Sequence, residues 1–178
     1  MNRRLSTAKA MNRIAAIDTR YRGYRFRSRL EARWAVFFDQ CCERYIYEHE
    51  GYRLPSGLYL PDFFFPMRRA FVEIKPLNQL PTRNFEFNSI GGYRPIDDVF
   101  PHELILMWEL SRALNLEPGH AVVIYGDPVD VIHGDGGSVC ANHSCGGLVR
   151  DIGFIDLFHA SLFDAADAAR AARFERGA

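Results

Sequence analysis

Asp62, Glu73 and Lys75 are residues of this chain whose types and spacing suit chemistry; they lie within residues 59–76, YLPDFFFPMRRAFVEIKP. Two carboxylates brought side by side repel unless a cation sits between them. Oxygen ligands at that density suit Mg²⁺ (or Mn²⁺), with waters and a substrate phosphate completing the shell. A lysine beside such a pair can orient or deprotonate a water, or stabilise charge developing on phosphate. The choice of lysine is informative. Of the 22 basic residues 20 are arginine, and the only lysines are Lys9 and Lys75. An ammonium is a compact point charge whose pKa shifts readily, which a guanidinium is not. The same residues also fit a plain surface ion pair between Glu73 and Lys75 with an unrelated Asp62.

A hairpin would bring these residues together. Residues 58–65 and 70–75 read as strands, connected through Pro66, Met67, Arg68 and Arg69. With Met67 and Arg68 at the tip, Phe64 falls opposite Phe71 and Asp62 opposite Glu73. Directly opposed side chains have Cβ atoms about 4.5–5.5 Å apart. Lys75, two residues past Glu73, shares its face. A one-residue slip would send Asp62 to the other face, so the reading depends on register.

The surrounding elements follow from pattern. Residues 28–42, SRLEARWAVFFDQCC, predict a helix, and Ser28 with Glu31 fits a capping box. A strand is expected over 45–50. A Pro/Gly/Asn-rich loop follows over 76–100, then a largely buried helix over 101–116 with Pro101 at its start. HAVVIYG reads as a buried strand beside a parallel neighbour. Residues 127–150 read as an irregular Gly/Cys/His insert, and 156–175 as an amphipathic helix with Gly177 past its end. The fold class is therefore α/β (α+β): a mixed four-stranded sheet flanked by helices. Trp34, Trp108, Cys41 and Cys42 read as core residues, and Glu103 and Glu109 as solvent-facing. His49 and His159 have no evident partner.

Composition sets the class. The chain's 178 residues, 48% hydrophobic and 25% charged, fit one soluble globular domain over residues 21–178. No apolar run approaches the roughly 20 residues of a membrane span. The leader pattern of a secreted protein is lacking, and the four cysteines suit a reducing cytoplasm. MNRR at 1 and MNRI at 11 leave Met11 as an alternative start. Net charge is zero, yet residues 1–35 hold ten basic and two acidic residues. Residues 1–20 are expected to be a flexible basic arm, with Arg25, Arg27 and Arg29 contacting phosphate and Arg33 solvated. His133, Cys140, His143 and Cys145 have an H-x6-C-x2-H-x-C spacing. That spacing allows Zn²⁺ without matching a standard knuckle; a loop with unpaired thiols is the alternative.

Pro61-Asp62, ten residues, then Glu73-Ile74-Lys75 resembles the PD-(D/E)xK nuclease signature. FRSRLEARWAVFFD, YEHEGYRL and YLPDFFFP are similar to phage-type members of that superfamily, related to transposon-end endonucleases and resolvase-like nucleases. The similarity spans about residues 21–76, with weaker agreement at VVIYGDP. It implies a restriction-endonuclease-like core and a Mg²⁺-dependent DNA endonuclease. Asp62 and Glu73 would bind the metal, the Ile74 carbonyl would assist, and Lys75 would serve the attacking water. Glu31, by its place on the preceding helix, would join the metal site; its alternative is the capping box alone. Glu48 and Glu50 are second choices for the metal shell. The implied partner is DNA, within a homodimer or a larger phage or mobile-element complex. Two other classes stay open: a non-catalytic nucleic-acid-binding protein of the same fold, and a zinc-containing structural or interaction protein.

Overall fold

The computed structural model describes residues 17–80, 85–87, 93–95, 101–133, 135–141 and 161–176. The chain begins with a hairpin of β1 (Thr19–Tyr21) and β2 (Tyr24–Phe26), followed by α1 (Arg29–Gln40). Then come β3 (Ile46–Tyr47), β4 (Tyr52–Leu54), β5 (Gly57–Tyr59), β6 (Phe63–Phe65) and β7 (Ala70–Lys75). A single 3₁₀ turn over Leu77–Gln79 precedes β8 (Phe85–Phe87) and β9 (Tyr93–Pro95). The remainder is α2 (His102–Ala113), β10 (Ala121–Tyr125), α3 (Pro128–His133), β11 (Gly137–Cys140), α4 (Leu162–Ala171) and β12 (Glu175–Arg176).

The architecture is mixed α/β around a five-stranded sheet of order β11-β10-β7-β6-β3. β7 is central, antiparallel to β6 and parallel to β10. Strand alternation sends its side chains to two cores. Val72 and Ile74 join Val122, Ile124 and the α1 residues Trp34, Phe37 and Phe38 on one face. Phe71 joins Val123, Tyr125 and the α2 residues Leu104, Met107 and Leu110 on the other. The continuous burial of β10 follows from this two-sided packing.

The expected hairpin register holds: Phe64 pairs with Phe71, flanked by Phe63–Val72 and Phe65–Ala70. Around it, several expectations are corrected. The sheet has five strands rather than four, because the segment read as irregular contributes α3 and β11. Glycines suppress a strand pattern, yet Gly136 lets this segment run against β10. A Cβ on Gly136 would lie 2.6 Å from the Tyr125 carbonyl oxygen. The expected strand over 58–65 is two strands in different sheets, since Pro61 offers no N–H to a ladder. The strand over 45–50 ends early, where Glu48 adopts φ +47°. The loop over 76–100 contains the β8–β9 hairpin.

The arm expected over 1–20 is strand by Thr19, where β1 pairs with both β2 and β12. Within the described residues, the last helix starts after its Ser161 cap and stops at Ala171, rather than running to 175. The following chain turns so that β12 can pair with β1 and Phe174 can pack edge-on against Tyr21. Trp108 is 48% exposed rather than core, at the margin of the stripe Leu104, Met107, Leu110, with Arg112 over its ring. Cys41 is buried as expected, but Cys42 is exposed because α1 has ended and its φ is +57°. Among the described residues no helix is long and apolar enough to cross a membrane.

Candidate active site

The site forms where the β6–β7 ladder stops. Its last pair is Phe63–Val72, so Asp62 and Glu73 come next, on opposing chains. Asp62 is held from both sides. Its backbone carbonyl accepts from the Glu48 N–H at 2.9 Å. Its Oδ2 accepts from the Ile74 N–H at 2.7 Å, taking the place of the ladder partner that β6 no longer supplies. Lys75 presents its carbonyl to Gly126 on the β10 side. Successive residues of a strand face opposite edges, so the Ile74 N–H and carbonyl both face the Asp62 side.

Asp62 and Glu73 are 2% and 5% exposed. Glu73 Oε1 accepts from Lys75 Nζ at 2.5 Å, and its Oε2 from the Tyr59 hydroxyl at 3.2 Å. Asp62 Oδ1 pairs with Arg27 Nη2 at 2.6 Å, while Arg27 Nε pairs with Glu48 Oε1 at 2.7 Å. Arg27 therefore bridges two carboxylates.

Burial pushes the Asp62 carboxyl well above the usual carboxylate range, and the charges of Glu73 and Glu31 push it further. The Ile74 amide and Arg27 only partly offset this. For Lys75, burial acts downward, but the charge and hydrogen bond of Glu73 outweigh it and hold the ammonium above its ordinary pKa. Burial and then Glu73 likewise keep the Tyr59 hydroxyl protonated, far above its usual range. Lys75 and Tyr59 are thus donors at neutral pH.

Glu31 is buried at the start of α1, where the Ser28 cap forms: Ser28 Oγ accepts from the Glu31 N–H at 3.2 Å. Glu31 Oε1 accepts from the Ser28 hydroxyl at 2.7 Å. Its Oε2 accepts from the Tyr47 hydroxyl at 2.5 Å and the Arg27 N–H at 3.1 Å. The charge of Glu31 is felt at Asp62, but its oxygens are already engaged by protein donors. Among the described residues, no three His, Cys, Asp or Glu side chains converge closely enough to hold a metal ion. Asp62, Glu73 and the Ile74 carbonyl are hard oxygen groups of the kind that hold Mg²⁺, usually one or two carboxylates with substrate and water supplying the rest, although here each oxygen of the two carboxylates also has a protein donor.

The other expected residues disperse. Arg25 pairs with Asp18, and Arg29 is exposed at the first turn of α1. Arg33 pairs with Asp127 at 3.1 Å instead of being only solvated. Glu50 stays outside, facing the Tyr52 hydroxyl at 3.5 Å. His133 packs edge-on against Phe163, and Cys140 lies half-buried on β11. His143, Cys145 and His159 fall outside the described residues. Glu109 receives Ser56 N–H and hydroxyl bonds, and His49 stacks on Phe64 at 4.9 Å.

Sequence reasoning missed Tyr59 and Tyr47, and Glu103, expected to face solvent, is instead half-buried beside Tyr125. Tyr125 donates to Glu103 at 3.2 Å, and Glu103 acts electrostatically on both Lys75 and Tyr59. Tyr59 carries a legible signal, as an aromatic three residues before Asp62. Glu103 carries none, because its approach depends on how α2 crosses the sheet. Comparison with protein-family models, with curated proteins and with solved structures gave no match to this chain.

Proposed function

We propose that the chain is a Mg²⁺-dependent DNA endonuclease, hydrolysing phosphodiester bonds on a restriction-endonuclease-like core. The observation that carries this reading is the meeting of buried Asp62 and Glu73 beside an ammonium, at the open end of a hairpin. Two buried carboxylates in one small region repel each other, and neither hydrophobic packing nor hairpin formation requires them.

Asp62, Glu73 and the Ile74 carbonyl would hold the metal ion, which when bound supplies charge stabilisation at a phosphate and a more acidic water. Glu73 positions Lys75, and the cationic state of Lys75 suits it to neutralise charge developing on a phosphate oxygen. Tyr59 donates to the other oxygen of Glu73, Oε2.

One observation favours the non-catalytic alternative: each oxygen of Asp62 and Glu73 already has a protein donor. The two readings separate on incubation with linear, circular, single-stranded and branched DNA, in Mg²⁺ or EDTA. Cleavage in Mg²⁺ alone is expected. Binding without cleavage in every substrate would select the non-catalytic protein.

A further inference from the structure

We infer that the β1–β2 hairpin forms a binding groove for the phosphate backbone of a nucleic acid, beside the candidate active site and separate from it. The inference rests on the proposed function for its choice of polyanion. A concavity of about 620 Å³ is lined by Arg20, Arg22, Arg25 and Arg173 around Tyr21 and Tyr24, with no acidic residue in the lining. Arg22 and Arg25 have side chains 66% and 64% exposed.

Two features of the hairpin work against its own stability. Arg20 lies directly opposite Arg25 in the β1–β2 register. Like charges so placed destabilise a strand pair. The two-residue turn is Arg22-Gly23, with φ +46° and +83°. Such turns favour Asn or Gly at the first position, so an arginine there is conformationally costly. Asp18 and Asp39 pair with Arg25 and Arg22 from outside the lining, and Glu175 lies opposite Arg20 on the other strand. Asp18 and Asp39 hold two of the guanidinium groups without lining the groove.

Guanidinium forks match phosphate oxygens in pairs. Four of them around one concavity exceed the needs of a single small anion and suit a chain of phosphates. Arg25, in the lining, is two residues, about 7 Å of extended chain, from Arg27, which pairs with Asp62. A membrane surface is disfavoured because interfacial binding calls for apolar anchors among the basic residues, and the lining offers only two half-buried tyrosines.

The test is fluorescence anisotropy of the full chain in EDTA, with a labelled duplex and its single strand, over a range of NaCl. The variants are Arg20→Ala/Arg173→Ala and the charge-keeping Arg20→Lys/Arg173→Lys, each checked by thermal melting. The alanine pair is expected to weaken binding on the order of 10-fold and to reduce the salt slope by about 2, one unit per lost phosphate contact. The lysine pair is expected to keep the slope. An unchanged slope in the alanine pair, or no binding by the parent chain, overturns the groove. So does groove-dependent binding to phosphatidylserine vesicles that exceeds binding to DNA. The outcomes separate from those of the proposed function. Groove-dependent binding with no cleavage in Mg²⁺ removes the nuclease alone, and cleavage with groove-independent binding removes the groove alone.

Discussion

Asp62→Asn should change the pH dependence of stability in a direction set by which effect dominates at that carboxyl. Burial and the charges of Glu73 and Glu31 raise its pKa, whereas Arg27 and the Ile74 amide lower it, and the first set prevails. The unfolded carboxyl titrates near its ordinary value, about 3.9. A raised folded pKa means that the native state binds the extra proton between that value and its own. The stabilisation is therefore complete below about pH 4 and lost as pH rises through the folded pKa. One proton corresponds to about 1.4 kcal/mol per pH unit at most. The asparagine lacks this titration and keeps one of the two acceptors, losing about 1–3 kcal/mol at the Ile74 N–H or at Arg27. That loss is nearly constant with pH, so the slope of the difference isolates the charge. Urea unfolding of both proteins in half-unit steps from about pH 4 upward measures it. The parent chain should lose stability relative to Asp62→Asn as pH rises, approaching the limiting slope within the window. A difference that grows in favour of the parent would mean that the Arg27 ion pair dominates, and would refute the reasoning.

Lys75→Arg should fold normally, with an unchanged melting temperature, and lose on the order of 10²-fold or more in single-turnover cleavage rate. A parental rate would make Lys75 a simple ion-pair partner of Glu73. Tyr47→Phe removes the hydroxyl that donates to Glu31 at 2.5 Å and accepts from the Arg27 N–H at 3.0 Å. It should cost about 1.5–3 kcal/mol in urea unfolding, the range for a hydrogen bond to a charged group, and a cost below about 0.5 kcal/mol would contradict the bond. Gly136→Ala would place a Cβ 2.6 Å from the Tyr125 carbonyl oxygen and 3.0 Å from the Val131 nitrogen, both backbone atoms. Overpacking of this kind costs about 1–3 kcal/mol, and a neutral substitution would show that β11 does not lie against β10 as described.

The hairpin was legible because two apolar, β-prone runs flank Pro66, Met67, Arg68 and Arg69; placing the tip at Met67 and Arg68 sets the register, and counting back from it sets the facing of Asp62 and Glu73. The α1 cap was legible because Ser28 and Glu31 stand three apart before an apolar helix. The rest depended on tertiary contacts that no local pattern encodes. Arg27 reads from sequence as a phosphate contact alongside Arg25 and Arg29, yet it spans Glu48 and Asp62, which are remote along the chain. β11 is hidden by the glycines around its start, of which Gly136 lets the backbone approach Tyr125. Trp108 looks like core on a helical wheel, but only the position of α2 over β10 decides which edge of the stripe meets solvent.

The central claim is that Asp62 and Glu73 support metal-dependent phosphodiester hydrolysis. Its most direct measurement is cleavage of supercoiled plasmid by the parent chain, Asp62→Ala and Glu73→Ala, with Mg²⁺ and with EDTA, at equal protein concentration and with melting curves for each. The account predicts nicked or linear product from the parent in Mg²⁺ only, and none from either variant although both remain folded. Undiminished, Mg²⁺-dependent cleavage by either folded variant would contradict it.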